Sequence, residues 1–393
     1  MECKKQLNRA LIATDAICNG LKKSKRAEKS SKRILIIFQQ IFGDALVFSS
    51  ALQAYPQLYH KTEGYEITFL ARPSVIAFMK DIVPIHEDIH VDAVDFKRIV
   101  EDYGYYKQVI KKYRNYADII IVPGSSLSAE ILSSACNARR KIGLVRSIPV
   151  KWPPVMSLFY RLAYTESVIP NKESMMLQRH RQLLQYLGVK GYQAVLPVLL
   201  DKKKIIAEDH YIVVCPGSSK MEKCWPTERF VEVIDYMIEA YGMNIHLCGG
   251  SDELKFERQI LEEARNKKHI ISHIGDTNFS DWSAIVQHAD LVLGNDSATL
   301  HLAAAGRVPS ICIAGIYDKF QFFPYRVDLL EATDRLPVTI YKDMPCEWCR
   351  TIGYHSGYGN KVCKERIDKN KCSLCINSIT TDEVITKVDE LLS

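Results

Sequence analysis

Y-I-V-V-C-P-G-S-S-K-M-E-K-C-W-P-T-E-R-F-V-E-V-I-D-Y-M-I-E-A-Y, running from Tyr211 to Tyr241, is the stretch that decides the fold. Tyr211–Cys215 is a short apolar run with β-branched residues and predicts a buried strand, while Thr227–Tyr241 repeats apolar residues at helical spacing. Between them lies a loop of small residues and lysines. Strand, loop and amphipathic helix in that order begin a βαβ unit. The cycle continues downstream with strands at Asn244–Cys248, Asp290–Leu293 and Pro309–Ala314 and helices at Asp252–Arg265 and Ala298–Ala305. Upstream, strands at Ile34–Phe38, Glu66–Leu70 and Asp118–Val122 alternate with helical stretches such as Ala45–Tyr55 and Ser126–Cys136. The fold class is α/β, with two doubly wound, Rossmann-like domains.

The boundaries follow from composition. Residues 1–32 read as a basic amphipathic extension, 33–204 as the first Rossmann-like domain and 205–335 as the second, with the charged stretch Asp201–Asp209 as the connection. Residues 336–379 are cysteine-rich, and 380–393 close the chain with an amphipathic helix that Thr380 and Glu383 open at capping-box spacing. Val150–Tyr164 mixes aromatics, prolines and basic residues, as a core element or as a surface for a lipid-like acceptor.

At 393 residues, 47% hydrophobic and 25% charged, the chain is long enough for two cores. No apolar run reaches the roughly 18 residues of a membrane span and no export signal opens the sequence, so a cytoplasmic location is expected. Twelve cysteines in such a location favour free thiols or a metal site over disulfides. The net charge of +6 is concentrated in residues 1–33, where ten Lys/Arg face only Glu2, Asp15 and Glu28. Leu7, Leu11, Thr14, Cys18 and Leu21 share one helical stripe there, either packed on the chain's own domain or touching the anionic inner surface of a membrane. With no aromatic residue for base stacking, the segment argues against nucleic acid as a partner.

Ligands of parallel sheets sit beyond the carboxyl ends of the strands. Three such loops in the second domain carry complementary chemistry. Gly217, Ser218, Ser219, Lys220 and Lys223 suit a phosphate; G-G-S-D-E brings Glu253, whose carboxylate can accept from a ribose diol. G-N-D-S-A-T-L-H runs into a helix whose start at Ser297, Ala298 and Thr299 offers free amides and a favourable dipole, with His301 on the first turn. Together they describe a nucleotide-diphosphate pocket, although Asp296 also reads as a helix cap and His301 as a core histidine. In the first domain, Q-Q-I-F-G-D-A places Gly43 and Asp44 after strand Ile34–Phe38. One glycine where a dinucleotide fingerprint needs three argues against an NAD-type dehydrogenase. Asp44 is a candidate base for an attacking hydroxyl, or a cap on the next helix.

At these residues the chain resembles the bacterial heptosyltransferase family, glycosyltransferase family nine. The likeness spans roughly residues 33–330 and is carried by I-L-I-I-F-Q-Q-I-F-G-D, I-V-V-C-P-G-S-S with K-C-W-P-T-E-R-F, L-C-G-G-S-D-E, and A-D-L-V-L-G-N-D-S-A-T-L-H-L-A-A-A. It implies a GT-B fold of two facing Rossmann-like domains with a cleft between them, the first for an acceptor and the second for a nucleotide-sugar donor. It further implies an inverting, metal-independent glycosyltransferase, with ADP-heptose as donor and a glycolipid or oligosaccharide of the lipopolysaccharide core as acceptor. In that likeness Asp44 matches the general base and Lys223 the lysine that stabilises the donor's phosphates. Glu253 matches the nucleoside carboxylate, and Asp296, Ser297, Ala298 and His301 the donor-binding turn, with Thr299 and Leu300 contributing backbone. Ala298 stands where the family usually has glycine, which puts a methyl group beside the phosphate-binding amide. No Asp-x-Asp pair of the kind that holds a divalent ion on diphosphate occurs.

Cys346 with Cys349 and Cys372 with Cys375 form two C-x-x-C pairs around Cys363, a pattern for a structural zinc. No cofactor is expected to take part in catalysis. Two other readings fit the same loops: a nucleotide-sugar epimerase or hydrolase, and a non-catalytic nucleotide-sugar binding protein.

Overall fold

The structure, a computed structural model, describes residues 2–22, 32–145, 154–171, 174–315, 321–325, 335–344 and 372–393. The chain divides into two compact units, residues 1–80 with 84–194 and residues 81–83 with 195–393. The division thus falls ahead of the charged Asp201–Asp209 stretch.

The first unit is built on a six-stranded, all-parallel sheet in the order β3-β2-β1-β4-β5-β6. Its strands are β1 (Lys32–Ile37), β2 (Tyr65–Ala71), β3 (Ile89–Ala93), β4 (Ile119–Val122), β5 (Arg140–Leu144) and β6 (Glu166–Val168). β1, β2 and β4 are the apolar runs of the sequence. β3, β5 and β6 are interrupted by His90, Asp92, Arg140, Lys141 and Glu166, so no apolar run marks them. Two of the charges pair laterally: the Arg140 guanidinium meets the Glu166 carboxylate through both oxygens, at 2.8 and 2.7 Å, and joins β5 to β6, while Asp92 and Lys141 bond to neighbouring segments. Leu35 and Ile37 of β1 face one core, while Phe38 stacks on Phe48 at 5.0 Å, from the helix Phe42–Leu52 that follows β1. Burial on both faces explains why β1 is apolar from Ile34 onward.

The helix Glu2–Leu21 belongs to this unit. Its buried face is centred on Ile12 and Ala16, at 1% and 0% exposure, whereas Leu7, Leu11 and Leu21 are 59%, 41% and 61% exposed. The leucine stripe picked out by sequence spacing is therefore the outer face. Small residues decide which stripe docks: a Cβ on Gly20 would stand 2.8 Å from the Ser134 carbonyl oxygen, so the helix lies directly on the helix Leu127–Ala135. In the Val150–Tyr164 stretch, Phe159, Ala163 and Tyr164 join the same core.

The second unit repeats the plan with β7 (Tyr211–Cys215), β8 (Asn244–Leu247), β9 (Ile270–Ser272), β10 (Leu291–Asn295), β11 (Ser310–Ile313) and β12 (Val338–Ile340) in the order β12-β11-β10-β7-β8-β9. Ile212, Val214, Ile245, Leu247, Leu291, Leu293, Ile311 and Ile313 pack against Phe230, Ile234 and Met237 of the helix Thr227–Tyr241 and against Val384 and Val388 of the closing helix Thr381–Leu392. That last helix starts as its sequence predicts: the Thr380 hydroxyl accepts from the Glu383 amide at 3.3 Å, and the Glu383 carboxylate accepts from the Thr380 amide at 2.9 Å. Among the described residues no helix is long and apolar enough to cross a membrane.

Each sheet, counted within its own unit, has the Rossmann order 3-2-1-4-5-6, which reverses direction between its first and fourth strands. Those switch points, β1/β4 and β7/β10, leave a crevice at the strands' carboxyl ends. Because the N-terminal helix contributes to the first core, Ile12→Ala should lower the unfolding free energy by about 2–5 kcal/mol, read as an earlier urea midpoint.

Candidate functional site

At the β7/β10 switch point three loops converge on Asn295 and Asp296. Asn295 is fully buried at the end of β10; its Nδ2 donates to the Pro216 carbonyl at 2.7 Å and its Oδ1 accepts from the Trp225 amide at 2.9 Å. One amide side chain thereby ties the exit of β7 to the turn beyond it. Next to it, Lys223 and Asp296 form an ion pair of 3.0 Å with side-chain exposures of only 11% and 6%, and the Ser218 hydroxyl donates to the Asp296 carbonyl at 3.0 Å. Lys223 closes the 3-10 turn Met221–Lys223, so the lysine charge is delivered by a turn rather than by a helix face.

The cap of the helix Ala298–Ala305 is Ser297, not Asp296. Ser297 makes no side-chain capping bond, and its Oγ is buried without a hydrogen-bond partner among the described residues. That hydroxyl lies at a helix start, where the dipole and the first free amides favour an anion. Ala298 is half-buried in the first turn. Thr299 is buried and hydrogen-bonds the Cys215 thiol at the end of β7, while Leu300 is wholly buried and contributes only backbone to the turn. His301 lies deeper: its Nδ1 is 2.7 Å from the Tyr325 hydroxyl, its ring stacks on Phe323 at 4.6 Å, and burial, aided by the Lys223 charge, pushes its pKa down to about 3. His301 is neutral at physiological pH. It braces the helix from the core side.

Glu253 forms the other wall. A Cβ on Gly217 would come within 2.1 Å of its carboxyl group, and one on Gly249 within 2.1 Å of its Oε2, so the carboxylate lies flat on glycine backbone from two loops. The Gly250 amide donates to Glu253 Oε2 at 3.2 Å. Burial first, and then the neighbouring Asp252 charge, lift its pKa to about 7. Gly217, Ser218, Lys223, Glu253, Asp296, Ser297, Ala298 and Thr299 thus line one end of one sheet, whereas Ser219 is exposed on the loop beside them. Sequence reading missed Asn295, Trp225 and Tyr325 as the parts that hold this site. Asn295 lay inside the quoted G-N-D-S run but had no role there, and nothing in the sequence links Tyr325 to His301.

In the first unit, Asp44 sits in the first turn of the helix Phe42–Leu52, half-buried, where the helix dipole favours a carboxylate. The cap itself is Ile41, so Asp44 does not cap. The β1/β4 switch point opens a pocket of about 320 Å³ lined by Gln39, Arg72, Lys97, Ser126, Leu127 and Ser128 among others. Arg72 is fixed by donating from Nε to the Gln39 carbonyl at 2.8 Å. Polar and cationic residues directly after β1, β2 and β4 were the available signal for this pocket.

Cys346, Cys349 and Cys363 lie outside the described residues. Cys372 is half-buried and Cys375 buried, the latter 3.2 Å from the Ser373 hydroxyl. Among the described residues no group of three or more metal-ligating side chains assembles.

Two parallel six-stranded sheets of Rossmann order, each in its own unit, are the architecture of the GT-B fold. The model of glycosyltransferase family 9 (heptosyltransferase) matches residues 107–334, more than half of the sequence, and the chain belongs to that family. It is 27% identical over 186 residues to "Lipopolysaccharide heptosyltransferase 3" of Escherichia coli K12, a match covering 47% of each chain. To a second Escherichia coli protein of that description it is 26% identical over 292 residues, 71% of this chain and 76% of the relative. Among solved structures, dodecameric iron-containing heptosyltransferase TibC in complex with ADP-D-beta-D-heptose superposes with a TM-score of 0.56 at 16% identity, covering 93% of this chain and 78% of that one. This likeness shows the shared fold.

The raised Glu253 pKa gives a pH test. A carboxyl whose folded pKa exceeds its unfolded value contributes stability that is complete below about pH 4.5 and is lost as pH rises through about 7. Glu253→Gln, neutral throughout, should therefore gain stability relative to the parent between pH 5 and pH 8 in paired urea titrations; a constant difference would contradict the burial of this carboxyl.

Proposed function

We propose that the protein is an inverting, metal-independent heptosyltransferase that moves heptose from ADP-heptose to an anionic glycolipid acceptor of the lipopolysaccharide-core type. The observation that carries this reading is the Lys223–Asp296–Ser297 cluster at the β7/β10 switch point, in a chain whose relatives are described as lipopolysaccharide heptosyltransferases. The donor diphosphate exchanges onto Lys223 Nζ and the amides opening the helix Ala298–Ala305, and Glu253 accepts from the ribose diol. Ala298 accommodates the phosphate with one methyl group more than glycine. Asp44 takes the proton of the acceptor hydroxyl as its oxygen bonds to the anomeric carbon. The bond from that carbon to the diphosphate breaks in the same step, which inverts the centre, and ADP leaves with its charge stabilised by Lys223.

The pocket at β1/β4 suits the acceptor. Arg72 and Lys97 attract a phosphate or carboxylate, while Leu127, 54% exposed, and Val100 give its lining an apolar side that suits an amphiphile better than a free sugar. The protein then works in the cytoplasm at the inner face of the membrane. The outward stripe Leu7, Leu11 and Leu21, followed by a tract with seven Lys/Arg from Lys22 to Arg33 against Glu28 alone, is complementary to an anionic lipid surface. For the structural-zinc reading of the two C-x-x-C pairs, Cys372 and Cys375 are the described half, at the i, i+3 step at which two thiolates can meet one ion.

Asp44→Asn should lower transfer from ADP-heptose to a core acceptor by at least about 100-fold while ADP still raises the melting temperature as in the parent; unchanged turnover would remove Asp44 from the chemistry. A uridine or guanosine diphosphate preference in the same thermal-shift panel would displace ADP as the donor nucleotide. Replacing Leu7, Leu11 and Leu21 together with Ser should abolish co-sedimentation with phosphatidylglycerol vesicles at unchanged stability, and retained binding would rule this face out.

A further inference from the structure

The turn that carries Lys223 is held from two sides. On the sheet side, Asn295 accepts from the Trp225 amide. On the other side lies the segment bearing the second C-x-x-C pair: the Ser373 amide donates to the Glu222 carbonyl at 3.1 Å, inside the Met221–Lys223 turn itself. Trp225, 1% exposed, donates from its indole Nε1 to the Ile379 carbonyl at 3.0 Å. The Arg229 guanidinium donates to the carbonyls of Asn377 and Ile379, both at 2.6 Å. The closing helix begins at once after Ile379, with Val384 and Val388 in the core of the unit, so the segment 372–379 is itself firmly seated. These bonds join residues about 150 positions apart. They serve no strand and no helix ladder.

We propose that Cys372–Ile379 is a positioning element for Lys223: through the Ser373 amide and the Trp225 indole it fixes the height of the Met221–Lys223 turn, and so sets how strongly the site holds a nucleoside diphosphate. The proposal rests on Lys223 being the lysine that meets the donor diphosphate. It makes the cysteine-bearing segment a determinant of donor affinity rather than a remote staple. A 3-10 turn of three residues has little internal hydrogen bonding to define it, so its external bonds decide where its last residue points.

The test is a double-mutant cycle on ADP affinity, measured by calorimetry on the full chain. Ser373 has φ −68°, in the range proline adopts, so Ser373→Pro removes the amide donor and sets a ring carbon against the Glu222 carbonyl, breaking this contact between the segment and the turn. The variant should weaken ADP about three- to ten-fold, as expected for one well-placed hydrogen bond. Ser373→Ala keeps the amide and should bind ADP as the parent does. In a Lys223→Ala background, Ser373→Pro should cause no further loss, because the residue it positions is gone. An equal loss in both backgrounds, or a loss in Ser373→Ala matching that of Ser373→Pro, would overturn the positioning role while leaving Lys223 as the diphosphate ligand. Unaltered ADP affinity in Lys223→Ala would instead overturn the reading of Lys223 and this inference with it. If Ser373→Pro fails to fold, Trp225→Phe, which removes the indole N–H and keeps an aromatic ring against Phe230, carries the same cycle with the same outcomes.

Discussion

A single buried amide, that of Asn295, is the constraint on which the donor end of the second unit depends. It uses its donor on the Pro216 carbonyl and its acceptor on the Trp225 amide, and it stands at the point where the strand order reverses. Inside a protein such a group is either fully paired or costly, so both the β7 exit and the Lys223 turn are pinned to the end of β10. The ion pair of Lys223 with Asp296 is built on this frame, as is the helix start at Ser297. Without the frame, the lysine would be a surface charge on a loop, and most of its electrostatic effect would be screened.

The second unit separates two kinds of neighbours around that frame. At the carboxyl end of the sheet lie groups with capacity left to bind: the buried Ser297 hydroxyl, the first amides of the following helix and the Glu253 carboxyl. Toward the core lie groups already satisfied, above all His301 with Tyr325 and Phe323. The protonation states agree with this division. His301 is held neutral by burial, whereas Glu253, lifted to about 7, has a carboxyl whose charge responds to what comes to rest beside it.

The first unit shows the same geometry with different chemistry. Its switch point holds Arg72 and Lys97 in place of an acidic wall, and the exposed Leu127 in place of glycine backbone. Both sheets thus present their loops at the carboxyl ends of parallel strands, yet each selects a different class of group. One topology, used twice, supplies two binding chemistries because only the loops differ.

The fold class and the two sheets' central strands were legible in the sequence by themselves, since a strand buried on both faces must be apolar along its length, as Ile34–Phe38 and Tyr211–Cys215 are. The candidate loops of the second unit were legible for the same reason, lying directly after such strands. Strands β3, β5 and β6 were not, because lateral pairs such as Arg140 with Glu166 replace the apolar signal. Which face of the N-terminal helix docks, the use of Asn295 as a bridge, the role of Tyr325 and the seating of the Lys223 turn on residues 373–379 were decided by tertiary structure alone. Each is a contact between residues distant in the chain, and helical or strand periodicity registers only what near neighbours share.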